Sequence, residues 1–515
     1  MIGRLKNKKR EDEVLLLSEG QGVEEDRDQN DSNGELSAHG MFLDLIINGW
    51  TFSAVRIPDM AVEIIEGAIF SRLGRNYLAA DGFIVIEHRV FATTALGVIF
   101  GLGNLLDEVK DDSVRRGQVF RQIFILALAL SIPVTALLAM SEPILIALGQ
   151  NRDVAKITGN FYIAALVNTP FYIVFSSLQL LFLTLGRSGT GLKLNFINNI
   201  LSVILSGLLA LGSGSIPQLN EWGMGLGRSL SSIIMVGVIS IVLYRDSVQR
   251  ESLFSWTLGE TQFFRMLKLG LPYGVQVGSD FLMQYVLAIL LGRIGKNALA
   301  EARVADMVYM IPFVMLARSP QIVAAHARTA KENQNQGYIK RSMLISSLTN
   351  GVAVGIWILI TSIGADPLLK YVFDLDSHKE NDSKIISGAK FLMFMTGITL
   401  LSEVVRFVSG SVLRGLEDTV SPMINSIVVL DILGITVLLT AALGFNLDEE
   451  ALYGIRAAIM FLASMTITAY ATHIVKGIPQ LSQSNYAIWN ENNLAPLVLE
   501  NVVEDDIEEG VKNGQ

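Results

Sequence analysis

Apolar residues come in long blocks along this chain, and polar residues collect in the short stretches between them. A block of about 18 apolar residues or more is long enough to cross a bilayer as a helix. About twelve such blocks can be marked out by length: near 44–70, 82–106, 119–140, 157–184, 194–215, 223–243, 268–292, 303–323, 342–364, 388–413, 421–444 and 452–475. No period-two alternation recurs in segments of about ten residues, which argues against a membrane β-barrel. The pattern predicts an all-α membrane protein with about twelve transmembrane helices.

The blocks repeat as a set. Ser71-Arg-Leu-Gly-Arg-Asn-Tyr-Leu-Ala-Ala80 resembles Gly292-Arg-Ile-Gly-Lys-Asn-Ala-Leu-Ala-Glu301, and Glu142-Pro-Ile-Leu-Ile-Ala-Leu-Gly149 resembles Asp366-Pro-Leu-Leu-Lys-Tyr-Val-Phe373. The first pair follows the first and seventh helices, the second pair the third and ninth. Six helices per half is an even number, so the halves share one orientation. Two parallel six-helix repeats around a central cavity are a transporter architecture, with the substrate site between the halves near the midplane. The expected divisions are a disordered polar tail over 1–42, bundles over 43–245 and 246–476, and a disordered acidic tail over 477–515.

Composition agrees with the membrane reading. Charged residues are 17% of the chain, against about 25% in soluble domains, and mean hydropathy is +0.45. The net charge of −9 comes largely from the two polar ends and says little about partners. The first forty residues lack the apolar core of a signal peptide, so the first helix should be retained. Basic positions at Lys6, Lys8, Lys9 and Arg10, and around Arg115-Arg116, 245–250 and Lys340-Arg341, favour both tails on the cytoplasmic side. The absence of cysteine excludes disulfides, thiolate catalysis and thiolate-bound zinc. Five histidines form no metal-type pair. His88, between Glu87 and Arg89, reads as an intrahelical structural pairing. No Walker motif is present, so ATP is not the expected energy source, and no enzymatic activity is expected. Gly97 and Gly101, four apart, read with Gly103 and Gly207 as helix-packing positions.

Four acids inside the apolar blocks change the picture: Asp59, Glu66, Asp280 and Glu403. A charge at the bilayer centre costs about 2.5–3.5 kcal/mol on insertion scales, and such acids usually bind a proton or cation or meet a cationic substrate. In the first helix Arg56, Asp59, Glu63 and Glu66 follow a three-four-three spacing, which is one helical face. That face should point into a water-filled cavity or across to the other half. Pro58 predicts a bend there. At the offset of the first repeat pair, Asp59 falls on Asp280. In the tenth helix Glu403 and Arg406 are three apart and could pair, whereas Asp280 has no basic residue within a turn. A buried carboxylate either takes a proton or recruits a cation.

These segments resemble the multidrug and toxic compound extrusion (MATE) family over roughly 42–475. Ile65-Glu-Gly-Ala-Ile-Phe-Ser-Arg-Leu-Gly74 is similar to the family's first-helix V-D-T-x-F-x-G-x-L-G, with Glu66 for the Asp. Gly270-Leu-Pro272 followed by Gly278-Ser-Asp280 resembles the seventh-helix segment, and Val412-Leu-Arg-Gly-Leu-Glu-Asp-Thr419 resembles L-R-G-x-G-D-T. The spacing of Asp280 and Glu403 is that of the NorM-type branch. The resemblance implies an antiporter in which Asp280 and Glu403 hold the coupling cation, sodium or a proton, and Glu66 faces the cavity with Asp59 and Glu63. Ser206 stands where another branch carries an Asp, with Asn198 and Asn199 nearby as cavity residues. Glu417 replaces a signature glycine, the eighth helix looks about one turn short between Val304 and Pro312, and Arg56 and Arg406 are additional charges.

The leading expectation is alternating-access export of amphipathic or cationic small molecules in exchange for sodium or protons, without a cofactor. The partners are the small-molecule substrate and the bilayer; no nucleic acid is expected, and the chain is read as a monomer. The alternative within the superfamily is a flippase for a lipid-linked precursor, kept open by Arg56, Arg303 and Arg406; net negative cavity charge would favour cationic drugs, net positive charge lipid phosphates. A receptor or intramembrane protease is a third class, but Gly278-Ser-Asp280 is not a G-x-G-D site. The expected membrane is a bacterial plasma membrane, or an endolysosomal one if Glu11-Asp-Glu-Val-Leu-Leu-Leu17 is a sorting signal.

Overall fold

The computed structural model describes residues 36–50, 57–102, 105–106, 109, 112–185, 188–212, 214–245, 262–318, 321–373 and 380–478. Residues 1–35 and 479–515, Arg56, Gly103 and the dileucine-like segment lie outside them, whereas the helix Ala38–Asp44 enters the stretch 1–42 expected to be disordered, because its apolar face is buried through Met41. The described residues are almost entirely helical, and twelve segments follow one another in two sets of six. In the first set these are α1 (Ile57–Leu73), α2 (Arg75–Phe100), α3 (Ser113–Ala139), α4 (Arg152–Ala164 with Asn168–Phe182, bent by 58°), α5 (Ser188–Leu211) and α6 (Asn220–Arg245). The second set is α7 (Phe263–Ile294), α8 (Lys296–Arg318), α9 (Gln336–Ile363), α10 (Glu380–Gly415), α11 (Val420–Gly444) and α12 (Glu449–Lys476). Among the described residues nine of these meet the length and apolarity of a membrane span alone, and α4 makes a tenth as a bent pair. The other two are α1, with 17 described residues, and α8, whose Glu301, Arg303 and Asp306 dilute its apolar run. The chain is therefore a multi-pass, all-α membrane protein.

The repeat is visible in the backbone. Gly74 separates α1 from α2 at φ 133°, a conformation that disfavours any side chain. Gly295, its repeat partner, separates α7 from α8 with an extended backbone. The second repeat pair forms two short helices, Ser141–Ala147 after α3 and Ala365–Phe373 after α9. Each carries an acid-proline pair in its first turn, where a missing N–H is harmless and a carboxylate favours the helix dipole.

α8 runs unbroken through Pro312 for 23 residues. Arg303 and Asp306 on it point inward to partners rather than to lipid. Pro58 lies at the start of the described part of α1.

Two large apolar clusters divide along the chain. One joins α2 to α6 around Phe120, Phe161 and Phe182; the other joins α7 to α12 around Tyr309, Phe373 and Tyr453. A third buries Met41 and Leu45, from the helix Ala38–Asp44 and the π turn after it, against Val323, Ala327 and Val412 of the second half. There Asp44 meets His326 Nε2 at 3.0 Å, and His326 Nδ1 meets Ser342 at 2.9 Å. The face of α9 carrying Leu344, Leu348, Val352 and Leu359 is open, as a lipid-facing surface requires.

Glycine sets the closest approach between the halves. A Cβ on Gly97 would lie 2.8 Å from Gly274 Cα, and one on Gly101 would lie 3.0 Å from Gly270 Cα. α2 and α7 thus touch backbone to backbone, as the small-xxx-small spacing predicts. Gly207 is different: a Cβ there would meet only Ile69, at an ordinary 3.5 Å. Gly97→Ala should lower stability by about 1–3 kcal/mol through overpacking. Unfolding in detergent checks this, with Gly207→Ala as a near-neutral control.

Candidate functional site

The polar face of α1 points inward, and each acid on it has partners. Asp59 Oδ1 accepts from Asn195 Nδ2 at 2.6 Å and from Asn199 Nδ2 at 2.5 Å, both on α5. Glu63 Oε1 accepts from Arg89 Nη2 of α2 at 2.5 Å and from Arg303 Nη1 of α8 at 2.8 Å. Glu66 is met by a two-pronged guanidinium, Arg228 of α6, whose Nε lies 3.0 Å from Oε1. Bidentate pairs of this kind fix geometry as well as charge. Arg228 also sits over the Phe161 ring, 5.2 Å from its centroid.

These residues line a cavity of ≈ 190 Å³ enclosed by α1, α2, α4, α5 and α6. Its lining residues all belong to the first half, and two smaller spaces beside Arg89 are lined from both halves. Asn198, which also lines it, is buried and leaves Oδ1 without a hydrogen-bond partner. His88 reaches the same space, its ring 5.1 Å from that of Tyr172. The intrahelical pairing read for His88 is not formed: Arg89 turns to Glu63, and Glu87 accepts from Ser141 and Tyr285. Among the described lining residues, Asp59, Glu63 and Glu66 oppose Arg89 and Arg228, so one negative charge is in excess. Adding buried Asp81 and Arg303, which pair at 2.7 Å, leaves that excess unchanged.

The acids of the second half are arranged differently. Asp280 Oδ1 accepts from Arg406 Nη1 of α10 at 2.7 Å and from Ser426 Oγ of α11 at 2.9 Å. Glu403 is 2% exposed, and its Oε2 has no hydrogen-bond partner. Arg406 therefore serves Asp280 across a helix contact, not Glu403 three residues away on its own helix. The guanidinium holds one of the two Asp280 carboxylate oxygens. Ser206, at the position where an acid was sought, is buried against α6 and donates to the Met224 carbonyl at 3.2 Å.

The repeat reappears in these pairings. The first helix of each half carries an acid that bonds to the fifth helix of that half: Asp59 to Asn195 and Asn199, Asp280 to Ser426. The sixth helix of each half carries an arginine over an aromatic ring, Arg228 over Phe161 and Arg456 over Tyr453. Arg456 faces Asp306 at 3.7 Å. Sequence reasoning missed Asn195, Asp81, Arg89 and Arg228. Asn195 could have been found from its four-residue spacing to Asn199, and Arg228 as an isolated charge in an apolar block repeated at Arg456.

Comparison with known proteins agrees. The MatE family model matches residues 110–208, which include the three α5 asparagines. A probable multidrug resistance protein NorM of Agrobacterium fabrum is 23% identical over 431 residues, covering 80% of this chain and 90% of its own length. A protein of the same name from Synechococcus is 22% identical, covering 79% and 87%. A MATE transporter of the MOP superfamily, solved in an inward-facing conformation, superposes with a TM-score of 0.72 at 15% identity, covering 83% of this chain and 98% of that one. A MOP superfamily transporter from Pyrococcus furiosus, described as having a binding pocket of reverse polarity, gives 0.67 at 14% identity, covering 87% and 98%. With twelve helical segments in two sets of six among the described residues, a MatE match over residues 110–208 and NorM relatives along most of its length, the chain is similar in sequence and fold to membrane transporters of the multidrug and toxic compound extrusion family.

Proposed function

We propose that this protein is a secondary antiporter that exports amphipathic, cationic small molecules in exchange for protons, using the cavity of the first half as its binding site. The observation that carries this is Asp59, an intramembrane acid held between two asparagine amides in a polar cavity that Glu63 and Glu66 also line. Asn198, with an open acceptor, supplies a second point for a donor-bearing ligand. The multidrug resistance names of the NorM relatives support the substrate class. Proton coupling is favoured over sodium because Arg406 already occupies Asp280. Protonation of Asp59 would remove the charge that holds the substrate, and both cannot bind at once. One charge crossing 100 mV is worth about 2.3 kcal/mol, about 50-fold in gradient. The moving bodies in this reading are residues 43–245 and 246–476. The native membrane is read as a bacterial plasma membrane, following the source of the NorM relatives. A lipid-phosphate flippase would need a basic cavity, and the three acids of α1 along this one speak for a cationic ligand instead.

The test is efflux of a cationic dye, ethidium, from proteoliposomes with an imposed proton or sodium gradient. The proton gradient should drive efflux and the sodium gradient should not. Asp59→Asn should weaken dye binding by about tenfold to a hundredfold, matching the 1.5–3 kcal/mol of an interaction with a charged group. Equal transport of an anionic dye, or sodium-driven efflux, would overturn the assignment.

A further inference from the structure

We propose that Glu87 is a proton-binding carboxyl that spans the two halves of the transporter. The inference rests on the proton-coupled reading above and adds a site to it. Glu87 ends the first straight part of α2, just before a wide π turn over His88–Ala92. Turns of that kind recur at functional positions in helices. Its side chain is buried, with the residue 1% exposed. Oε2 accepts from Ser141 Oγ at 2.5 Å, and Oε1 faces the Tyr285 hydroxyl at 3.2 Å. Ser141 opens the short helix after α3, whereas Tyr285 belongs to α7 in the other half.

The contrast with its neighbours is chemical. Glu63, Glu66, Asp81 and Asp280 each hold a guanidinium. The groups that face Glu87 are hydroxyls: Ser141, Tyr285 and, from α4, Tyr162, which donates to the Ile84 carbonyl at 2.5 Å. His88 and Arg89, its neighbours in sequence, turn toward the cavity and Glu63. An ionised carboxylate in such a place has no compensating cation, while the neutral acid is fully served. With its proton, Glu87 donates to one hydroxyl and accepts from the other.

The site also sits where movement must occur. α2 and α7 form the seam between the halves, so parting that seam removes Tyr285 and admits water. The carboxyl O–H bond then breaks, the proton passes to a water molecule, and the carboxylate is left hydrated. Closing the seam again requires a proton to be taken up. Glu87 would thereby make closure of the halves depend on protonation, separately from substrate binding at Asp59.

Infrared difference spectroscopy of the lipid-reconstituted protein, full chain, tests this directly. The wild type at neutral pH should show a protonated-carboxyl C=O band that is lost in Glu87→Gln. Tyr285→Phe should keep the band and shift it to higher frequency, because one hydrogen bond is removed. In proteoliposomes Glu87→Gln should still bind ethidium, and the pH dependence of its efflux should become shallower, with only the part set by competition at Asp59 remaining. An unchanged band in Glu87→Gln, or an unshifted one in Tyr285→Phe should the Gln variant fail to fold, would show that Glu87 is not the protonated group. If the wild type moves no dye under any gradient, the export reading fails while the infrared arm still decides Glu87.

Discussion

Replacing Arg303 with Met is expected to destabilise the protein by about 3–5 kcal/mol, the cost of breaking a buried ion pair from one side. Arg303 is on α8, in the second half, yet both of its bonds cross to the first half. Its Nε lies 2.7 Å from Asp81 Oδ2 and its Nη1 lies 2.8 Å from Glu63 Oε1. The Arg303 side chain is 2% exposed and that of Asp81 1%. After the substitution Glu63 keeps Arg89, but Asp81 loses the guanidinium bonded to it and keeps only the more distant Arg228. Arg303→Lys should recover only part of the loss, since one ammonium cannot reproduce a planar fork reaching two carboxylates. The double variant Arg303→Met/Asp81→Leu should recover most of it, because replacing a whole buried pair by apolar groups is often neutral. Unfolding in detergent measures all three. A single variant as stable as the wild type, or a double variant no better than the single, would mean that the Arg303–Asp81 pair does not hold the halves together.

The helices and their repeat could be read from the sequence because bilayer thickness imposes a length on each apolar block. The Gly74 and Gly295 breaks were also legible, since a short motif around each recurs. The inward face of α1 followed from the three-four-three spacing of its charges. What the spacing could not give was the partner of each charge. Residues three or four apart share a helix face, but the group that face meets depends on which helix packs across from it. Arg406 stands one turn from Glu403 and still bonds to Asp280 on α7. Arg303 looked like an excess charge on a shortened helix, and it is the link from α8 to α1 and α2. The space that Asp59, Glu63 and Glu66 line is bounded by α1, α2, α4, α5 and α6, because these acids face α5, α2 and α6, while smaller spaces around Arg89 are lined from both halves.

Arg406→Gln should turn the second half into a sodium-responsive site. In the wild type the guanidinium bonds Asp280 at 2.7 Å and also acts electrostatically on Glu403. Removing it leaves two carboxylates, the Ser426 hydroxyl and the new amide in a buried place. Two like charges there repel, and Asp280 has lost the guanidinium bonded to it, so stability should fall by about 3–5 kcal/mol in choline chloride. Oxygen ligands suit a hard monovalent cation such as sodium, and a cation that binds only the folded state stabilises it by mass action. At 100 times its dissociation constant that gain is about 2.7 kcal/mol. The variant should therefore unfold much later in sodium chloride than in choline chloride of equal ionic strength, whereas the wild type should be indifferent to the exchange. Equal destabilisation in both salts would show that Asp280 and Glu403 cannot share a cation even when the arginine is gone. A sodium response already present in the wild type would mean that Arg406 leaves Asp280 when sodium arrives, and the preference for proton coupling would fall with it.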